Sequence, residues 1–129
     1  MDTIGEFLTR IRNAGLAKHD KVDIPSSNMR EGIAQILQET GYIRSYKVAK
    51  DSKQGIMRVY LKYDEKGKPA ISNLERVSRP SRRIYVKADK IRAVRSGFGM
   101  DIMSTNKGIM SSETAKNEKV GGELLCRVW

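Results

Sequence analysis

The amino-acid sequence predicts an α+β fold with two small lobes. Two stretches near the N-terminus carry apolar residues at helical spacing, and strand-like patterns with a period of two follow them. Helical and strand patterns are thus grouped along the chain, whereas a parallel α/β sheet requires their steady alternation. A charged segment containing Gly and Pro lies near mid-chain and separates two groups of patterns.

The first helix is predicted to begin at Thr3, because Thr3 and Glu6 have the spacing of a capping box. Its apolar face follows the i, i+3, i+4, i+7 rule and consists of Ile4, Phe7, Leu8 and Ile11. The residues predicted on the other faces include Arg10, Arg12 and Asn13.

A short strand and a second helix are predicted next. Lys21–Pro25 has a strand pattern, and Ser26-Ser27 after the proline is a helix start signal. The apolar face of this helix carries Met29, Ile33, Ile36 and Leu37. We expect Gly41 to end the helix in the left-handed conformation.

Two further strand patterns, Tyr42–Val48 and Ile56–Tyr63, flank a polar turn. In the second strand, apolar residues alternate with basic and aromatic ones, so one face is expected to be buried and the other partly basic. The charged segment Asp64–Pro69 follows. We place the lobe boundary there, with an N-terminal α/β lobe at residues 1–66 and a C-terminal lobe at residues 67–129.

The C-terminal lobe is predicted to be mostly β with one short helix. Strand patterns occur at Ile71–Val77, Ile84–Val86 and Glu123–Trp129, with a turn at Arg79-Pro80-Ser81 between the first two. Gly97–Met103 is an apolar stretch interrupted by glycine. Ser111 or Ser112 is suited to cap a helix at Glu113–Lys119. The last strand is expected to place three residues on one buried face, Leu124, Cys126 and Val128.

Composition narrows the class of protein. The chain has 129 residues, of which 39% are hydrophobic, so it can bury a core. Lys and Arg number 25 against 15 Asp and Glu, and the net charge of +10 favours a polyanion: nucleic acid first, an anionic membrane surface second. A basic protein without such a partner is the alternative. No apolar run approaches the ~20 residues of a membrane span, and the N-terminus is acidic where a secretory signal is basic. We therefore expect a soluble, cytosolic protein.

Catalytic and metal chemistry lack the necessary residues. Cys126 is the only cysteine and His19 the only histidine, so an internal disulfide, a cysteine-based zinc site and multi-histidine chemistry all lack parts. An enzyme acting on nucleic acid would need a carboxylate cluster or a cofactor loop, and the sequence shows neither motif. We expect no catalysis and no cofactor, and we expect Cys126 to pack in the core.

The strongest charge feature is an arginine window from Arg76 to Arg95. It holds eight cations and one acid, a net charge of +7 out of the chain's +10. Arginine suits phosphate because its planar guanidinium donates two parallel hydrogen bonds, and Tyr85 adds a ring for stacking or a hydroxyl for ribose. The arginine window favours nucleic-acid binding, and a solvated hairpin face is the alternative.

The segment Ser104–Gly108, with the sequence Ser-Thr-Asn-Lys-Gly, follows an apolar stretch. Ser, Thr and Asn both donate and accept hydrogen bonds, so they can match base edges and 2′-hydroxyls, and a glycine permits close approach. The carboxylate of Glu123 can accept from a base amino group. We predict that the arginine window supplies affinity and Ser104–Gly108 supplies selectivity. An ordinary polar turn is the alternative.

Several ordered blocks match a known pattern along essentially the whole chain. Met103–Met110 is similar to a Ser-Thr-Ser-x-Gly-(Ile/Val)-Met signature, and Val120–Leu125 to a Gly-Gly-Glu ending. Further blocks are Leu8–Ala14, Pro25–Ser27, Glu39–Ile43 and Arg76–Tyr85. With these blocks the chain resembles the bacterial small-subunit ribosomal protein eight family. It departs from that family at Asn106, where the family has serine, and at Ser81, where the family has glycine.

The resemblance implies a structural protein that binds the central domain of small-subunit ribosomal RNA early in assembly and helps to assemble the platform. It also implies neighbouring small-subunit ribosomal proteins, which we take to be proteins five and twelve, and a monomer when free. Some family members repress their own operon by binding a messenger that mimics the ribosomal site. The resemblance implies no membrane partner.

Carried over by position, the resemblance implies a set of RNA-binding residues. The main contacts are expected at Ser104, Thr105, Asn106, Lys107 and Gly108. Further contacts are expected at Glu123, Tyr85 and Arg83, with Arg79 and Arg82 added from the arginine window. The candidates in the N-terminal lobe are Arg10, Arg12 and Asn13.

Overall fold

A computed structural model describes residues 2–50, 55–91 and 99–129. Within these ranges the chain has the predicted α+β fold, with helices α1 (Thr3–Leu16), α2 (Asn28–Glu39) and α3 (Ser112–Asn117). The strands are β1 (Lys21–Pro25), β2 (Ile43–Ala49), β3 (Ile56–Leu61), β4 (Leu74–Arg76), β5 (Tyr85–Val86), β6 (Met100–Thr105), β7 (Gly108–Ser111) and β8 (Gly122–Val128). The predictions that lie outside the described residues concern the turn at 51–54, Arg92, Arg95 and the beginning of the apolar stretch at Gly97.

Helix α1 begins as predicted but has a different cap. Asp2 is the N-cap residue: its carboxylate accepts a hydrogen bond from the Gly5 amide at 3.0 Å, and Thr3 is already helical. The predicted Thr3–Glu6 capping box is therefore wrong, because a carboxylate one residue earlier satisfies the free amide. The predicted apolar face is confirmed as buried and comprises Ile4, Phe7, Leu8 and Ile11.

Helix α2 confirms both of its predicted ends. The Ser27 hydroxyl accepts a hydrogen bond from the Arg30 amide at 3.1 Å, and Gly41 follows the helix with a φ of +83°. The buried guanidinium of Arg30 donates to the carbonyls of Thr3 and Pro25. It therefore joins the beginning of α1, the end of β1 and α2 in one place.

The first three strands form an antiparallel sheet in the order β1-β3-β2. Strand β3 alternates as predicted, and its buried residues are Met57, Val59 and Leu61. On the other face, Arg44 and Lys47 lie 5.4 and 5.9 Å from the centroid of the Tyr60 ring. The outward face of this sheet is therefore basic and aromatic, which also agrees with the prediction.

The other described strands form a five-stranded antiparallel sheet around β8. Strand β8 pairs with β6 on one side and with β4 and then β5 on the other. Strands β6 and β7 form a hairpin whose tip falls within Ser104–Gly108. The sequence analysis did not predict β7, whereas the predicted short helix is confirmed as α3, with Ser111 as its N-cap.

A β-bulge in β8 overturns the prediction that Leu124 shares a face with Cys126. Opposite β8, Ile102 pairs with Cys126 while the next residue, Met103, pairs with Leu124, so Leu125 is an extra residue. The bulge reverses the alternation of side chains. Cys126 is buried in the main core, and Leu124 packs with a second cluster around Met103.

The main core joins the helices and both sheets. Helices α1 and α2 and the three-stranded sheet supply most of it, and the C-terminal sheet adds Leu74, Ile102, Leu125, Cys126 and Val128. The segment Asp64–Pro69 is a hydrogen-bonded turn, in which the Asp64 amide donates to the Lys68 carbonyl at 2.8 Å. The lobe boundary between residues 66 and 67 stays a prediction.

An ion pair between Asp2 and Arg76 ties the beginning of α1 to the C-terminal sheet. Arg76 Nε lies 3.2 Å from both carboxylate oxygens, and another guanidinium nitrogen donates to the Leu125 carbonyl at 2.7 Å. Only 9% of the Arg76 side chain is exposed. Burial raises the pKa of Asp2, but hydrogen bonds from the Gly5 amide and Arg76 outweigh this effect. The pKa of Asp2 therefore lies below its ordinary value of 3.8.

We predict that Asp2→Ala lowers the free energy of unfolding at pH 7 by about 2 kcal/mol, because it removes the helix cap and leaves a nearly buried cation unpaired. Asp2→Asn keeps a capping side chain and should lose only about 1 kcal/mol. Urea unfolding measures both values.

The difference in the free energy of unfolding between the wild type and Asp2→Asn should depend on pH. Because the folded pKa of Asp2 is depressed, its ion pair stabilises the protein above the ordinary pKa of 3.8, and this contribution is lost as the pH falls through the folded pKa. Thermal unfolding from pH 7 to pH 3 measures this difference. A constant difference over that range would contradict the ion pair and the lowered pKa of Asp2.

Candidate nucleic-acid interface

Three neighbouring strands bring predicted site residues into one row. Tyr85 of β5 and Ser104 of β6 are both register partners of Glu123 of β8, one on each side. Residues directly opposite in antiparallel strands share a face of the sheet. Tyr85, Glu123 and Ser104, which we call the Glu123 row, therefore lie side by side. Tyr85 is 70% exposed, so its ring is open to a partner.

Two glycines allow the strands of the Glu123 row to approach so closely. A Cβ atom on Gly122 would lie directly against the carbonyl oxygen of Ser104, and one on Gly121 would lie 2.5 Å from the carbonyl oxygen of Val86. Both obstacles are backbone atoms held in a sheet, so they cannot move aside. The Gly-Gly sequence is therefore a packing requirement of β8 between β5 and β6.

The hairpin tip is built by Thr105. Its hydroxyl donates to the Gly108 carbonyl at 2.9 Å and accepts from the Lys107 amide at 3.1 Å, as in a hydroxyl-closed turn. Gly108 has a φ of +112° and open space around its Cβ position, so the backbone conformation alone requires glycine there. Thr105 and Gly108 thus shape the tip.

The remaining residues of the hairpin tip present free polar groups. Within the described ranges, the side chains of Ser104, Asn106 and Lys107 make no hydrogen bond or ion pair with the protein. Asn106 and Lys107 are exposed, and Ser104 is partly buried beside Glu123. A hydroxyl, an amide and an ammonium group are therefore available to an outside partner.

Glu123 holds its own surroundings in place. Its Oε2 accepts hydrogen bonds from the Ser78 hydroxyl and from Arg83 Nη1, the latter at 3.0 Å, and only 12% of its side chain is exposed. Burial raises the pKa of Glu123, but the bonds from Ser78 and Arg83 outweigh it and the pKa lies below its ordinary value. The carboxylate is thus charged at neutral pH and orients Arg83.

Sequence reasoning did not identify Ser78 as part of the site. Ser78 is fully buried, and its hydroxyl also accepts a hydrogen bond from the Ile84 amide at 3.1 Å. It therefore links the beginning of β5 to Glu123. The only signal for it was its place inside the Arg76–Tyr85 block, because a small hydroxyl residue between arginines has no distinctive chemistry of its own.

The arginine window divides into structural and accessible residues. Arg76 is withdrawn into the ion pair with Asp2, so the window's predicted charge overstates what a polyanion can reach. Arg79 and Arg82 form the ends of a tight turn through reciprocal backbone hydrogen bonds of 2.9 Å, and both are exposed. In the part of the chain that the structure describes, neither of these two guanidinium groups has an ion-pair partner.

The candidates in the N-terminal lobe lie on the exposed side of α1, as predicted. Arg10 forms an ion pair with Glu6 at 3.1 Å and lies 3.4 Å from the Asp23 carbonyl. Arg12 donates to the Leu74 carbonyl and so anchors the beginning of β4. The structure places these residues apart from the Glu123 row, on a different element.

Three further features of the described residues concern the cysteine, metal binding and membrane spans. Cys126 is fully buried in the main core, as predicted, and this burial raises the pKa of its thiol to about 12. Among the residues that the structure describes, no cluster of His, Cys, Asp and Glu could hold a metal ion. None of the helices described here has the length and apolar character needed to cross a membrane.

Comparison with known proteins assigns the family. The model of a family described as ribosomal protein S8 matches residues 2–129. The chain belongs to the ribosomal protein S8 family. The small ribosomal subunit protein uS8 of Bdellovibrio bacteriovorus is 69% identical over 129 residues, which is the full length of both chains. Those of Geotalea uraniireducens and Desulfitobacterium hafniense are 52% and 48% identical over 128 residues, covering 99% of this chain and 97% of each relative.

This membership confirms the resemblance seen in the sequence blocks. It makes the chain a non-enzymatic, structural ribosomal protein of the small subunit, and its location is the ribosome. The family decides the absence of catalysis, independently of which catalytic residues the chain lacks. The Glu123 row and the hairpin tip are therefore features of a ribosomal protein.

We predict that Gly122→Ala destabilises this ribosomal protein by about 2–3 kcal/mol, because the new methyl group overlaps a backbone oxygen of β6. Hydrogen exchange should show lost protection of amides shared by β6 and β8. Gly108→Ala is the matched control: it strains only the turn, by about 1–2 kcal/mol, and should leave those amides protected. Wild-type protection in Gly122→Ala would refute the packing requirement.

Proposed function

We propose that the protein binds directly to the central domain of small-subunit ribosomal RNA, early in assembly, and helps to assemble the platform. The observation that carries this proposal is the Glu123 row, which brings the exposed Tyr85 ring and the hairpin tip Ser104–Gly108 to one end of the C-terminal sheet. The oriented Arg83 and the exposed turn of Arg79 and Arg82 adjoin it. Stacking, edge recognition and phosphate binding are thus combined on one surface.

Selectivity comes from the free groups of the hairpin tip. Ser104 and Asn106 offer donors and acceptors that suit base edges and 2′-hydroxyls in an irregular stem, and Tyr85 offers a ring to an unstacked base or a ribose. Thr105 and Gly108 act by holding the shape of the tip. Asn106, where the family has serine, reaches further and adds an amide donor, so its RNA partner is one that a serine hydroxyl would not reach.

Affinity comes from cations that lie around the tip. Lys107, Arg79 and Arg82 contact phosphates, and Arg83 does so in an orientation set by Glu123. Glu123 supports the surface chiefly by positioning Arg83. Arg10 and Asn13 on α1 are candidates for a separate RNA contact of the N-terminal lobe, residues 1–66, while residues 67–129 carry the main site.

The division of labour predicts different outcomes for two double variants. Ser104→Ala with Asn106→Ala should weaken binding to the cognate rRNA stem by about 1–3 kcal/mol while leaving binding to an unrelated stem unchanged. Arg79→Ala with Arg82→Ala should weaken both equally and reduce the salt dependence by about one unit of slope for each lost phosphate contact. Filter binding over a salt series measures both effects.

Thr105→Ser serves as a control, because it keeps the hydroxyl that closes the turn and should bind like the wild type. Equal loss of cognate and unrelated binding in the Ser104/Asn106 variant would contradict the proposed selectivity. Retention of full rRNA affinity in both double variants would contradict the proposed site as a whole.

The same surface supports a second proposal, repression of the protein's own operon through its messenger. The contacts converge on one end of one sheet, so a short messenger stem that presents the same groups would occupy the same surface. Such a messenger should compete with the rRNA stem, and overproduced Ser104/Asn106 variant should repress a reporter fused to that messenger less than the wild type does. Simultaneous binding of both RNAs would exclude the shared site.

A further inference from the structure

A groove lies at the C-terminal end of α1, and none of its described lining residues belongs to the Glu123 row. The last turns of α1, the end of β3 and the segment that leads from Pro69 into β4 enclose a cavity of about 280 Å³. Its apolar lining includes Leu16, Tyr42, Pro69 and Ile71. Leu16, a large aliphatic residue at the C-terminal end of α1, lies outside the buried face of that helix and is 76% exposed.

The rim of this groove is basic. The described lining residues include Arg12, Lys62 and Lys68, and none of them is acidic. Arg12 is held in place by its hydrogen bond to the Leu74 carbonyl, while Lys62 and Lys68 are exposed and have no ion-pair partner within the described chain. The groove therefore combines an apolar floor with unneutralised positive charge at its edge.

These two features favour one kind of occupant. An exposed leucine beside tyrosine and proline is stabilised by burying another apolar side chain, because apolar surface is then removed from water. RNA has no aliphatic side chain to offer. The lysines at the rim favour carboxylates.

We propose that this groove, which we call the Leu16 groove, receives an acidic segment of another small-subunit protein. One apolar side chain of that segment packs on Leu16 and Tyr42, and flanking Asp or Glu residues pair with Lys62 and Lys68. The proposal involves a different surface from the RNA site and depends only on membership of the small subunit.

The test is photo-crosslinking in assembled small subunits. A benzoylphenylalanine placed at position 16 should crosslink to a peptide of another ribosomal protein in which an apolar residue lies next to Asp or Glu, identified by mass spectrometry. Since Leu16 is largely exposed, this replacement should not disturb folding. The same photoreactive residue at Ile56, which is 51% exposed on the outward face of β3, is the positional control and should not capture that peptide.

A charge reversal completes the test. Lys62→Glu with Lys68→Glu should reduce the yield of that crosslink about tenfold, because two attractive pairs become repulsive. Lys66→Glu with Lys50→Glu changes the net charge equally at exposed lysines outside the groove lining and should leave the yield unchanged. A crosslink from position 16 to rRNA or to a basic peptide, or no crosslink to another molecule, would overturn the proposal. Filter binding of the Lys62/Lys68 variant to the rRNA stem stays at the wild-type level if the two surfaces are separate.

Discussion

The C-terminal half of the molecule depends on one strand, β8, which pairs with three others. Its backbone is shared between β6 on one side and β4 and β5 on the other, so the sheet has no alternative centre. Gly121 and Gly122 make this possible at the crowded end, and the bulge at Leu125 adjusts the strand to both buried clusters. Because Glu123 lies between these two adjustments, its place among Tyr85, Ser104 and Arg83 follows from backbone constraints.

The polar residues near the Glu123 row fall into two groups: some bond within the protein, and others are left free for a partner. Thr105, Ser78 and Glu123 direct their side chains to other parts of the protein and so keep the surface rigid. Ser104 and Asn106 are left unpaired by the rest of the described chain. A rigid support around a few free groups lowers the ordering cost when a partner binds. The N-terminal lobe joins this support through the Asp2–Arg76 ion pair and the shared core.

Much of the fold is predictable from sequence, because the apolar residues of α1 and α2 have helical spacing and those of β3 alternate. The failures arise where a single backbone detail decides the outcome. Nothing in the sequence Leu124-Leu125-Cys126 shows which of the residues is extra, because the bulge is set by pairing with β6. Similarly, the hydroxyl of Thr105 and the cation of Arg76 were predicted to face a partner. The structure shows that Thr105 closes its own turn and that Arg76 pairs with the distant Asp2.

The position of β8 in the chain also orders events during synthesis. The three-stranded sheet needs no residue beyond Leu61, whereas β4, β5 and β6 all precede the strand on which they assemble. A growing polypeptide therefore has unpaired strand edges in its second half until the segment from Gly121 onward has emerged. The Glu123 row is therefore complete only after this segment, which contains Glu123 itself, has emerged.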